Sequence, residues 1–147
     1  MTDILLATLW ADGMWFGVEV ARVQEVLRDQ PIEPVPRAPS GVVGLVNLRG
    51  QVIAAIDLRT RLECSTTPPP SAPVHYICIS PGALESLVVD QAGEVISVPE
   101  SQLGEVPDST PANIAALLRS ATMYNDELLL VLDLDRVLHI GDNEGAG

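Results

Sequence analysis

Short aliphatic runs of strand length recur along the chain, and each is stopped by a turn signal before it could complete a long helix. Ile4 to Trp10 (ILLATLW) gives way to Ala11-Asp12-Gly13, and Met14 to Val18 resumes in β-forming residues, the pattern of a hairpin. Gly41 to Leu48 and Gln51 to Leu58 flank Arg49-Gly50 as a second tight hairpin. Because these two runs alternate poorly, burial on both faces is expected for them. Further strands are expected at Val74 to Ile79, Glu85 to Val89 and Glu94 to Val98, with breaks at Ser80-Pro81-Gly82 and Gln91-Ala92-Gly93. A last strand, Glu127 to Leu134, follows the Asn125-Asp126 turn. Such a succession predicts a mainly β chain folded as a compact barrel or as paired barrels, with no repeat visible at the level of residues.

Helical signals are brief. In VARVQEVL the apolar positions Val20, Val23 and Leu27 suit a short helical turn that ends before Pro31. Thr110-Pro111 supplies a capping residue and a first-turn proline ahead of Ile114, Leu117 and Leu118, and DRVLHI suits one closing turn. Gln30 to Ser40 carries four prolines and reads as an extended surface loop. Cys64 to Pro73 (CSTTPPPSAP) reads as a linker dividing the strands into two sets, and residues 141–147 as a flexible tail.

Composition limits what such a fold can do. A chain of 147 residues fits one domain, and with 47% hydrophobic but only 3% aromatic residues its core must be built from Val, Leu, Ile and Ala. The net charge is -12 and every basic residue is arginine, so nucleic acid, which demands a basic patch, is not an expected partner. No apolar run approaches the ~20 residues that span a bilayer, and Met1-Thr2-Asp3 lacks the basic start of an export signal. A cytoplasmic protein without direct membrane insertion is expected, with Cys64 as a loop thiol and Cys78 as a buried strand residue.

Catalytic patterns are sparse. Asp133 and Asp135 stand two apart, so on a strand they would share a face and could form an acid pair or hold a metal. His75 and His139 lack neighbours at ligand spacing, and the absence of lysine removes P-loop and Schiff-base chemistry. Gly41, Gly44 and Gly50 do not form a dinucleotide fingerprint. A small acidic metal-dependent enzyme using Asp133 and Asp135 is the rival reading from this side. A ligand-binding barrel with a closed apolar cavity lined by the Gly41 to Leu58 strands is another.

Four segments in order carry a resemblance. GVVGLVNLRGQVIAAIDLRTRL, Gly41 to Leu62, resembles the signature of the CheW family of chemotaxis coupling proteins, with its Asn-Leu-Arg-Gly and Asp-Leu-Arg elements. ARVQEVL resembles the family's Val-x-Glu-Ile element, ESLVVDQAGEVISVP its Val-Asp and Glu-Val-Ile strand pair, and ELLLVLDLDRVL its closing Leu-Asp-Leu strand. The similarity spans Ile4 to Ile140.

The resemblance implies one CheW-like domain over residues 1–140, made of two small five-stranded SH3-like barrels sharing a core, with short helices. It implies a non-catalytic adaptor without metal or cofactor, associated in the cytoplasm with membrane-bound receptor arrays. Its partners would be the regulatory domain of a CheA-type histidine kinase and the cytoplasmic tip of methyl-accepting chemoreceptors. Arg49 and Glu25 take over the family's partner-binding positions, and Val43, Gly44, Val46 and Ile56 are candidates for an apolar groove that accepts a receptor helix. Ala54-Ala55 and Gln91-Ala92-Gly93 depart from the family pattern, which leaves room for a divergent array component in a non-flagellar chemosensory pathway.

Overall fold

A computed structural model describes residues 2–139. Strands β1 (Asp3–Ala11) and β2 (Met14–Glu19) form the expected first hairpin around Asp12-Gly13. They join β8 (Gln91–Pro99), β9 (Leu118–Tyr124) and β10 (Glu127–Leu132) in a sheet ordered β8-β1-β2-β10-β9. The intervening strands β3 (Val23–Arg28), β4 (Val42–Leu48), β5 (Gln51–Asp57), β6 (Val74–Ser80) and β7 (Ala83–Val89) build a second sheet, ordered β3-β6-β7-β5-β4. Each sheet has one parallel pair, β2 with β10 and β5 with β7. These are the two five-stranded SH3-like barrels, a terminal one contributed by both chain ends and a central one contributed by residues between them.

The segment Cys64 to Pro73 therefore does not separate the two strand sets. It lies between β5 and β6, inside the central barrel. Counting the terminal strands cyclically from β8 gives the same order as β3 to β7, so the two barrels share one topology in circular permutation. Strand register then places Ala92-Gly93-Glu94-Val95 on Val23-Gln24-Glu25-Val26. The hairpins align without a gap, Asn125 to Leu134 on Arg49 to Leu58. A linear search of the chain misses this repeat because its halves are not in the same order.

Three apolar clusters follow from this layout. Leu6, Ile96, Val98, Leu129 and Val131 fill the terminal barrel, and Val46, Leu48, Ile53, Ala55, Ile77 and Val88 fill the central one. Between them lies the shared core, where Leu9, Phe16, Val18 and Leu132 of the terminal barrel meet Ile56, Tyr76 and Leu87 of the central barrel. Strands with one face in a barrel and the other on the shared core are buried continuously, as in Leu6 to Leu9, Val74 to Cys78 and Leu129 to Leu132.

Several expectations need correction. The hairpin β4–β5 is not buried on both faces: β4 is an edge strand, and Val43, Asn47 and Val52 face outward. The segment VARVQEVL is helical only as a 3₁₀ turn at Val20–Arg22, after which Val23 to Arg28 alternates between half-buried and exposed as a strand paired with β6. Gln91-Ala92-Gly93 opens β8 and is not a break. Leu118 starts β9, a strand the sequence reading did not foresee, and α2 covers only Ala112–Ala115 after Pro111. Leu134 leaves the last strand for α3 (Leu134–Leu138), as Leu58 leaves β5 for α1 (Leu58–Leu62). The expected tail at 141–147 lies outside the described residues.

Candidate functional site

The β4–β5 hairpin turns on two residues, and both Arg49 (φ 50°) and Gly50 (φ 89°) are left-handed. Two positive φ values give the turn the twist that flanking strands require. The Gly50 N–H donates to Asn47 Oδ1 at 2.9 Å, which fixes the loop. The guanidinium of Arg49 thus leaves the tip in a set direction. It donates to both carboxylate oxygens of Glu25 on β3, with Nη1 at 3.3 Å from Oε1 and Nη2 on Oε2. That bidentate pair joins the two edge strands of the central sheet across the barrel mouth. Arg49's hydrogen bonds and charge hold the Glu25 carboxyl below its usual range, and Glu25 in turn raises the guanidinium. The Arg49 side chain is 65% exposed against 25% for Glu25, so its outer donors face solvent.

Beside this pair an open groove of about 560 Å³ runs between the proline-rich loop and the outer face of the hairpin. Pro31, Ile32, Val35, Leu45 and Val52 form its walls. The loop is strapped to β4 by reciprocal Glu33 and Leu45 backbone bonds of 2.8 Å. Gly44 (φ 153°) permits that crossing, because a Cβ there would collide with the Glu33 carbonyl and the Ile32 side chain.

The predicted site residues separate accordingly. Arg49 and Glu25 meet, and Val43 lies exposed on β4. Gly44 is buried under the chain's own loop, and Val46 and Ile56 are fully interior, so these three shape the hairpin from within and do not line a groove. The groove is open, which removes the closed cavity expected of a ligand-binding barrel.

Asp133 and Asp135 do not form an acid pair, since the strand ends before them. Asp133 caps α3 by accepting the Arg136 N–H at 3.2 Å, while Asp135 accepts from Arg22 at 2.9 Å. Among the described residues no group of three or more His, Cys, Asp or Glu side chains could hold a metal. His75 is buried against Ser86 Oγ at 2.9 Å. Both cysteines are free, and burial pushes Cys64 up to about 11 and Cys78 up to about 12, leaving thiols with little thiolate character.

One buried polar group, away from this hairpin, was missed. Arg59 of α1 is buried, binds Asp90 at 2.7 Å, lies 3.4 Å from Asp12, and donates to the Thr67 and Pro68 carbonyls. Asp12 also accepts the N–H groups of Thr66 and Thr67, which hold its carboxyl far below the ordinary range. The β1–β2 turn, α1 and the β7–β8 junction are thereby locked to the segment Cys64 to Pro73. The arginine of Asp-Leu-Arg was the visible signal, but nothing local announced its distant partners.

The CheW-like domain profile matches residues 6–141 of the chain. The chemotaxis protein CheW of Rhizobium meliloti (strain 1021) is 25% identical over 131 residues, which are 89% of this chain and 84% of the relative. The chemotaxis protein CheW of Bacillus subtilis (strain 168) is 27% identical over 136 residues, 92% of this chain and 86% of the relative. Among solved structures, the crystal structure of the scaffolding protein TtCheW from Thermoanaerobacter tengcongensis matches with a TM-score of 0.81 at 23% identity, covering 90% of each chain. That likeness establishes the fold.

Proposed function

The chain belongs to the CheW-like domain family, a family of non-catalytic scaffolds, and from that membership we propose that it couples chemoreceptors to a CheA-type histidine kinase. In this reading the protein works in the cytoplasm at receptor arrays, binding the kinase's regulatory domain and the tip of a methyl-accepting receptor. The observation that carries the site assignment is the Glu25–Arg49 pair, exposed at a rigid turn beside an apolar groove. A receptor tip is a helical hairpin, and a helix face suits a groove whose walls are aliphatic and whose rim carries one cation with spare donors. The β4–β5 hairpin and the proline-rich loop supply the surface, and Val43, Val52 and Val35 supply apolar contact area.

Exchange of Arg49 for alanine is the direct test. An exposed ion pair contributes little to folding, so Arg49→Ala is expected to keep the melting temperature within about 2 °C of wild type. Its affinity for the receptor tip or the kinase regulatory domain should fall roughly tenfold, the effect of losing charge-assisted hydrogen bonds to a partner. If isothermal titration finds both affinities unchanged, the site lies elsewhere on the molecule.

A further inference from the structure

The permuted repeat draws attention to the mouth of the terminal barrel. We propose that this mouth is a receptor for an arginine side chain carried by a partner protein. At the equivalent place in the central barrel the carboxylate of Glu25 is paired within the chain by Arg49. Register places Glu94 at the position of Glu25 and Asn125 at the position of Arg49, so the carboxylate is kept and the cation is gone. Glu94 and Asn125 both line an open cavity of about 400 Å³, joined by Glu127. Among the described residues no basic side chain lines that cavity or pairs with Glu94 or Glu127.

Aromatic rings complete the site. The chain has only five aromatic residues, and three of them stand here. Trp10 and Trp15 face each other across β1 and β2 with ring centroids 5.8 Å apart, and Tyr124 leans on Trp15 at 6.1 Å. Trp15 and Tyr124 rest on the barrel's apolar cluster, and all three rings remain half-buried at the opening. Thr8 Oγ donates to the Glu94 carbonyl at 2.6 Å and anchors β8 at this point. A planar guanidinium can stack on an indole face while its edge donates to a carboxylate, which an ammonium does less well. The overall charge of -12 favours the approach of a cationic segment.

The test titrates the intact protein with N-acetylarginine amide, followed by tryptophan fluorescence and amide chemical shifts. Saturable binding is expected, with the neutral isostere N-acetylcitrulline amide at least about tenfold weaker. Glu94→Gln, an exposed isosteric change, should weaken the arginine probe about tenfold with an unchanged melting curve. Asn125→Arg, which supplies the guanidinium from within as the central barrel does, should abolish binding. Arg49→Ala should leave the probe's affinity unchanged, so this site and the hairpin site fail independently. Equal binding of the citrulline probe, or an unaffected Glu94→Gln or Asn125→Arg protein, overturns the proposal. Free L-arginine binding about tenfold tighter than the blocked probe would identify a metabolite site and overturn the assignment to a partner.

Discussion

Two residues show how much a single position settles. Gly44 lies at φ 153° beneath the Glu33 carbonyl, so any side chain there must push the proline-rich loop off β4. Gly44→Ala is expected to destabilise by about 2 kcal/mol or more, measurable by urea denaturation. A loss under about 0.5 kcal/mol would mean that the loop is not seated as described. His75 is buried with its Nε2 unpartnered, and burial lowers its pKa from 6.5, an effect Asp29 only partly opposes. Its folded pKa is depressed, so the unfolded chain takes up the proton first as the pH falls below about 6.5, and stability is lost from there downward. Asp12 and Glu25 are depressed as well, and their contribution is full above about pH 5 and is lost progressively as the pH falls below it. Acid destabilisation is therefore expected in two stages. The melting temperature should drop a few degrees between pH 7 and pH 5, and His75→Leu should flatten that first stage while leaving the second. A wild-type melting temperature constant from pH 7 to pH 5 would contradict the role given to His75.

At the scale of elements, the polar lock around Arg59 turns a segment that looks like a linker into a strap. Removing one member of a buried charged network strands the others, so Arg59→Met should lower the melting temperature by roughly 5 °C or more, far beyond Arg49→Ala. Comparable shifts for the two variants would show that the lock is open in solution. The sequence made the hairpins legible, since Asp12-Gly13 and Arg49-Gly50 both stand between apolar runs of strand length. It misled at Val20 to Leu27, where helical spacing and strand alternation coincide over a few residues and only pairing with β6 selects the strand. It also failed at Leu118 to Tyr124, whose Arg, Ser and Thr residues hide a strand that gains its burial from the barrel. At the site, Glu25 and Arg49 were legible through resemblance. Val46 and Ile56 were not correctly placed, because which face of β4 and β5 turns inward depends on the neighbouring sheet order.

At the scale of the molecule, two permuted copies of one topology pack on a shared core and present two differently finished mouths. The central one carries its own ion pair beside an apolar groove, and the terminal one is lined by aromatics and carboxylates. In the proposed reading, that asymmetry would let one small domain offer distinct surfaces to the receptor and to the kinase. The most direct measurement is co-sedimentation of a CheA-type kinase with membranes carrying chemoreceptors, with and without this protein. The kinase is expected to enter the pellet when the wild-type chain is added, and to do so much less when Arg49→Ala is added. A kinase that stays in the supernatant with the wild-type chain, at concentrations where the protein is folded, would rule out the coupling role.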